Sequence, residues 1–283
     1  MNDDEKWDRI ITPKNNLFDL QIREIIRYRE LILLFIKRDL NTIYKQTILG
    51  PLWFIINPLF STAIYIFVFG NLAKMGTDGV PQILFYYSGT MLWTYFSCCF
   101  NDASNIFVVN SGVFGKVYFP RLTAPLSRIV FNLVTALIQF ATLICFYIYY
   151  LLTGTTSSHA TKLVLALPLI FMWISFLATG TGLFVSALTT KYRDLRQLVG
   201  FGLNLLMYAT PIVYPLSQAS QKYRWILYMN PLSAPVELFR IALFGAGYVP
   251  NNMILLSVCM TIVLFFLGLI TFNKFERTFI DVI

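Results

Sequence analysis

Long apolar runs alternate with short charged stretches along this chain. Six runs carry no Asp, Glu, Lys or Arg: residues 50–72, 83–100, 129–152, 163–188, 198–216 and 253–272. A helix rises about 1.5 Å per residue, so about twenty residues cross the roughly 30 Å of bilayer hydrocarbon. Each run has about that length, and none shows the period-two alternation of a barrel strand. The pattern predicts an all-α integral membrane protein with six transmembrane helices in residues 46–283, behind a cytoplasmic segment of residues 1–45. Pro51 suits a first helical turn, Pro58 should kink the first span, and Pro211 and Pro215 should unwind the fifth before the far interface.

Two polar stretches also carry a helical pattern. Between Leu17 and Tyr44, Phe18, Ile22, Ile25, Ile32 and Ile36 recur at near-helical spacing among Arg23, Arg27, Glu30 and Lys37. The purely apolar part, Leu31–Ile36, is too short to span. This helix either lies in the membrane interface or packs as an ordinary cytoplasmic helix. In the last external loop, residues 217–252, Asn230-Pro231 reads as a helix start. Leu238, Ile241, Ala242 and Phe244 share one face there, with Glu237 and Arg240 on another. Short helices dipping into the outer leaflet and helices lying on the surface are both open.

Composition agrees with the membrane reading. Of 283 residues, 57% are hydrophobic and 13% charged, and the mean hydropathy is +0.65, whereas a soluble domain is about 25% charged. The net charge of +8 does not imply nucleic acid, because the basic residues sit between apolar runs. Counted by side, seventeen Lys and Arg fall in the N-terminal segment, the two loops that share its side and the C-terminal tail, against five opposite (Lys74, Lys162, Lys222, Arg224, Arg240). Both termini are therefore expected in the cytoplasm. Cys98, Cys99, Cys145 and Cys259 lie in apolar runs without metal-ligand spacing. The polar first fifteen residues carry no signal-peptide pattern.

The missing chemistry narrows the function. Ionisable groups are almost absent from the spans, which disfavours proton- or ion-coupled transport, although broken-helix carbonyls could still bind sodium. There is no phosphate loop for ATP, no metal cluster and no nucleophile–base set, and His159, the one histidine, lies in a polar external loop. A membrane enzyme is disfavoured accordingly. Aromatics are plentiful at 17%. Many fit an interfacial belt, such as Trp53 and Tyr149-Tyr150, but Tyr65, Tyr86, Tyr87, Trp93, Tyr95 and Tyr208 fall within spans.

Four motifs then point to one family. Lys37-Arg38-Asp39-Leu40, continuing through Tyr44-Lys45-Gln46-Thr47-Ile48-Leu49-Gly50-Pro51-Leu52-Trp53 to Asn57-Pro58-Leu59, resembles the start of permease subunits of ABC exporters for polysaccharides and polyol phosphates. Lys116-Val117-Tyr118-Phe119-Pro120-Arg121, Tyr192-Arg193-Asp194 and Tyr228-Met229-Asn230-Pro231 resemble that family's later motifs, in order, over essentially the whole chain. The resemblance implies a homodimer in a bacterial inner membrane, driven by two cytoplasmic nucleotide-binding ATPase subunits. ATP and magnesium would belong to those partners, with no cofactor or metal on this chain. The implied cargo is a lipid-linked glycan of the O-antigen, capsule or teichoic-acid type, moved outward.

By position, Leu17–Tyr44 and a coupling element with Asn105, Lys116, Tyr118 and Arg121 would meet the ATPases, with Arg193 and Asp194 nearby. The channel would run along the dimer interface between spans one and five, lined by Tyr65, Trp93, Tyr95 and Tyr208. Arg38, Lys45 and Arg128 are candidates to receive the pyrophosphate of the lipid carrier, against ordinary snorkelling and positive-inside charge. Competing readings are a drug- or lipid-exporting permease of the same superfamily, a secondary transporter, and a membrane-bound glycosyltransferase.

Overall fold

A computed structural model describes residues 22–46, 48–109, 112, 120, 122–155, 159–192 and 194–279. The described residues are helical, with no β-strand among them. Helices α1 (Ile22–Arg27) and α2 (Arg29–Gln46) lead to a 3₁₀ turn at Gly50–Leu52. Helix α3 (Trp53–Tyr65) continues from that turn and passes into a π-helical stretch, Ile66–Leu72. Then come α4 (Gln82–Ser104), the one-turn α5 (Ile106–Val109) and α6 (Thr123–Leu152). A 3₁₀ stretch, Lys162–Ala166, opens α7 (Leu167–Lys191), and α8 is Leu195–Tyr208. After the turn Leu216–Gln218 come α9 (Arg224–Met229), α10 (Ser233–Phe244) and α11 (Asn251–Phe279).

Among the described residues, four helical segments are long and apolar enough to cross a membrane: Gly50–Leu72, Thr123–Leu152, Lys162–Thr189 and Asn251–Lys274. They coincide with the first, third, fourth and sixth expected runs. The second run lies inside α4, and its polar Ser88, Thr90, Thr94 and Ser97 dilute it. The fifth expected run, 198–216, is helical over only part of its length. Its helix ends at Tyr208 after 14 residues, about 21 Å at 1.5 Å per residue, short of a roughly 30 Å core.

The centre of the bundle is α7, packed on α11 and α4. Small residues let the backbones meet, the usual device where lipid removes the hydrophobic drive between helices. A Cβ on Gly180 would collide with the Phe265 backbone, and one on Gly268 with the backbone of Gly180 itself. The Trp173 indole donates to Thr261 Oγ1 at 2.9 Å, and Phe176 meets Phe265 edge-on at 4.8 Å. Helix α4 is buried on almost every side, with Leu84, Tyr86, Tyr87, Met91 and Leu92 fully enclosed. Helix α10 packs into the same core, Phe239 against Phe140 and Phe171, and Phe244 against Tyr147. Gly245, at φ 66°, ends α10 in the left-handed region where a side chain is disfavoured, its N–H returning to Ile241 O.

Candidate functional site

Two helices break the rule that exposed positions on this bundle are apolar. On α3, Trp53, Asn57, Phe60 and Ile64 are exposed at helical spacing, so one stripe carries an amide inside an otherwise apolar span. On α8 no residue is buried, and Gln197, Phe201, Asn204 and Tyr208 form the corresponding exposed stripe. An amide facing hydrocarbon without a partner costs roughly 2–7 kcal/mol, so these stripes require water or another polar surface beside them. Half-buried Tyr65 joins the two helices, its hydroxyl donating to Met207 Sδ at 3.4 Å. The π-helical stretch follows Tyr65 directly, a rare geometry that recurs at functional positions.

Of the four aromatic positions expected along a path, the structure brings Tyr65 and Tyr208 onto this pair of helices; Tyr208 is 54% exposed. Trp93 is half-buried on α4, its ring tilted against Phe96 at 5.6 Å. Tyr95 is elsewhere. It is buried between α4 and α7, its hydroxyl 2.5 Å from Ser175 Oγ and its ring edge-on to Phe171.

Beyond Tyr208 the chain leaves the helix, yet the carbonyls of residues 208–212 are each served. The Tyr208 carbonyl accepts from the Tyr214 hydroxyl at 2.9 Å, and that of Ala209 from Asn230 Nδ2 at 2.9 Å. The carbonyl of Thr210 accepts from the N–H of Ile212 at 2.7 Å. Those of Pro211 and Ile212 accept from Arg240 Nη1 at 2.6 Å and Nη2 at 2.9 Å. Backbone buried in the protein outside a helix has no water to turn to, so such accounting is a condition of the break.

Arg240 and Glu237 correct the sequence reading, which set them on a polar face of a loop helix. Both are fully buried, paired at 3.3 Å, and the guanidinium lies 3.7 Å from the centre of the Phe85 ring. Glu237 also accepts from the N–H of Leu216 at 3.2 Å. The loop before α4 is tied to the same assembly: Ser217 Oγ donates to Asp78 Oδ1 at 2.6 Å, and Gly76 N–H to Gln218 Oε1 at 3.1 Å. Residues 209–244 thus form a cap over the end of the bundle, joined to α4 and the 73–81 loop.

The opposite end of the bundle carries a charge cluster. Arg128, at the start of α6, reaches Asp39 on α2 at 3.1 Å and Asp102 on α4 at 3.9 Å, and Asn132 Nδ2 donates to Asp102 Oδ2 at 2.8 Å. Arg38 is half-exposed, bonded to Asp39 at 2.9 Å and set over the Phe35 ring, and Lys45 is exposed. Asn105 joins α4 to α5, its side chain donating to Asn101 O at 3.0 Å. Asp194 caps α8 by accepting from Leu195 N–H at 3.0 Å. Lys116, Tyr118, Arg121 and Arg193 lie outside the described residues.

Sequence reasoning passed over two apolar residues here. Ile106 and Phe107 of α5 are buried, Phe107 stacked on Phe272 at 4.9 Å. They sit in a small core with Ala124, Leu183 and Leu269, against which Tyr28, Leu31 and Phe35 pack. Helices α2, α5, α6, α7 and α11 therefore meet in one apolar knot.

Comparison with known proteins gives the family context. A family model described as "ABC-2 type transporter" matches residues 30–244. The chain is 28% identical over 254 residues to the O-antigen export system permease protein RfbA of Klebsiella pneumoniae, covering 90% of this chain and 95% of that protein. It is 24% identical to RfbA of Myxococcus xanthus, with 81% and 86% covered. It is also 24% identical to the polysialic acid transport protein KpsM of Escherichia coli, with 85% and 91% covered.

Proposed function

The chain belongs to the ABC-2 type transporter family, and from that premise we propose that it exports a lipid-linked polysaccharide. Two copies would form the membrane path, powered by two separate ATPase subunits. The observation that carries this reading is the exposed amide stripe of α3 and α8 inside apolar spans, in a chain similar to O-antigen and polysialic acid permeases over most of its length. A hydrated glycan supplies the polar surface that Asn57, Gln197 and Asn204 need. Tyr65, Tyr208 and Phe201 supply faces on which sugar rings stack.

The proposed topology has six spans, with α4 as the second and α8 plus the cap as the fifth. Both termini then lie in the cytoplasm of a bacterium, with the cap at the outer surface of the inner membrane. Exposed Ile26 on α1 and exposed Leu33 and Leu34 on α2 support the two helices lying in the interface plane. On this reading α2, the stretch after Asn105 and the Asp194 turn face the ATPases, and the charge cluster and the apolar knot link the first two to α4, α6, α7 and α11. Arg38 and Lys45 remain exposed enough to meet a lipid pyrophosphate, whereas Arg128 is already engaged by two carboxylates.

The test is co-purification with the candidate ATPase subunit, followed by ATP hydrolysis in proteoliposomes. A stable two-plus-two complex stimulated by lipid-linked glycan is the expected result. Stimulation by drugs or phospholipids but not by glycan would transfer the chain to another cargo class. Uptake driven by an ion gradient without any ATPase would reject the proposal.

A further inference from the structure

The fifth apolar run divides at Ala209 into halves of opposite character. Before it, α8 buries none of its residues, and a Cβ built on Gly200 or Gly202 meets nothing within 4 Å. After it, Thr210, Pro211, Ile212 and Val213 are buried although they form no helix. The Thr210 hydroxyl accepts from Asn230 at 2.8 Å, the Thr210 carbonyl is held by the local turn, and those of Pro211 and Ile212 are held by Arg240. Arg240 in turn contacts α4 at the Phe85 ring and the Phe85 carbonyl, and so closely that a Cβ on Gly89 would lie 2.9 Å from Nη2.

The two halves differ in what it takes to move them. Displacing the cap from α4 would strip the buried guanidinium of Arg240 of the Phe85 carbonyl and ring, in surroundings too dry to replace them. Displacing α8 breaks the weak Tyr65–Met207 contact and uncovers one side of Val199, Leu203 and Leu206, which are only partly buried against the core. The Tyr214 and Asn230 bonds to Tyr208 and Ala209 hold just the last residues of α8, as a pivot would.

Resting on the export reading above, we propose that α8 is the moving half of this span. It swings about Ala209–Thr210 while the cap stays locked to α4 by Arg240 and to the 73–81 loop by Ser217 and Gln218. Rods hinged at element ends against a packed, bistable body are a common form of such transitions.

The test uses the complex with its ATPase in proteoliposomes, with Cys98, Cys99, Cys145 and Cys259 replaced by serine. Single cysteines are placed at Leu203→Cys and Leu206→Cys on the inner side of α8, and at Val213→Cys and Leu216→Cys in the cap. Maleimide labelling rates are compared without nucleotide and after vanadate trapping with ATP. The α8 thiols should change by at least about tenfold, and the cap thiols should stay protected in both states. As a second arm, Asp78→Cys with Ser217→Cys, bridged by a reducible thiol-reactive linker, should leave ATP turnover within about twofold of the reduced protein.

Cap thiols that change together with α8, α8 thiols that do not change, or arrest of turnover by the cap link would each overturn the hinge. The readout needs no glycan. An intact thiol pattern in a complex stimulated by another cargo would therefore keep the hinge while removing the polysaccharide reading, and a complex without ATP turnover would remove both.

Discussion

Arg240→Met removes the one cation in the cap core, and its consequence can be worked from the contacts. The guanidinium is 2% exposed and Glu237, 3.3 Å away, is 1% exposed. Removing one partner of such a pair leaves an uncompensated buried charge, which costs about 3–5 kcal/mol. The carbonyls of Pro211 and Ile212 lose bonds of 2.6 and 2.9 Å, losses that overlap with the first and are not added to it. At roughly 2–4 °C per kcal/mol for a chain of this size, the midpoint of heat-induced loss of the monodisperse peak should fall by about 6–20 °C. The assay is gel filtration of the solubilised protein after stepwise heating. Glu237→Met with Arg240→Met removes both charges and leaves only neutral groups wanting, the Pro211 and Ile212 carbonyls and the Leu216 N–H, so the double variant should be more stable than Arg240→Met alone. A single variant within about 2 °C of the parent, or a double variant whose loss equals the sum of the two singles, would refute the reasoning.

Three further outcomes follow from other parts of the molecule. Gly180→Ala forces a methyl into the α11 backbone and should cost about 1–3 kcal/mol, read by the same heating series; Gly200→Ala, which meets open space, should not. Asp39→Asn should leave stability within about 1 kcal/mol, since the pair with Arg128 is part-exposed, yet lower glycan-stimulated ATP hydrolysis by loosening α2 from α6; exchanging the charges, Asp39→Arg with Arg128→Asp, should recover part of it. Asn204→Leu should preserve folding and basal ATP hydrolysis while reducing glycan export several-fold, measured as labelled glycan delivered per ATP; unchanged export would remove the amide stripe from the path.

The spans were legible because hydrocarbon demands length and the absence of charge, and both are countable in one sequence. Four of the six runs reappear as helical segments within a few residues of their expected ends. The unwinding near Pro211 was legible too, although its onset at Ala209 was not, because it depends on groups far along the chain that accept the broken end. Glu237 and Arg240 show the limit most clearly. An acid and a base three apart on a helix look like an ordinary surface pair, and only the packing of α10 on α4 makes them a buried clamp.

Tyr95 and Tyr208 present the same problem in reverse. Both lie in charge-free runs, and which ring faces a neighbour or the outside is set by helix rotation that one sequence does not encode. Asn57 and Asn204 did carry a signal. They are amides inside spans, and a count of charged residues alone passes over them. Ile106 and Phe107 carried none, since two apolar residues after a span read as its continuation.

The central claim is that this chain forms the route by which an ATP-driven complex moves a lipid-linked polysaccharide across a membrane. The most direct measurement is the transfer of a fluorescently labelled lipid-linked glycan across proteoliposomes containing the permease and its ATPase. It is scored by protection of the label from an external glycosidase or quencher after ATP is added outside. The account predicts protection that requires hydrolysable ATP and both subunits and is lost when the ATPase is inactivated. Equal protection without ATP, or ATP hydrolysis with no movement of glycan from any lipid carrier offered, would contradict it.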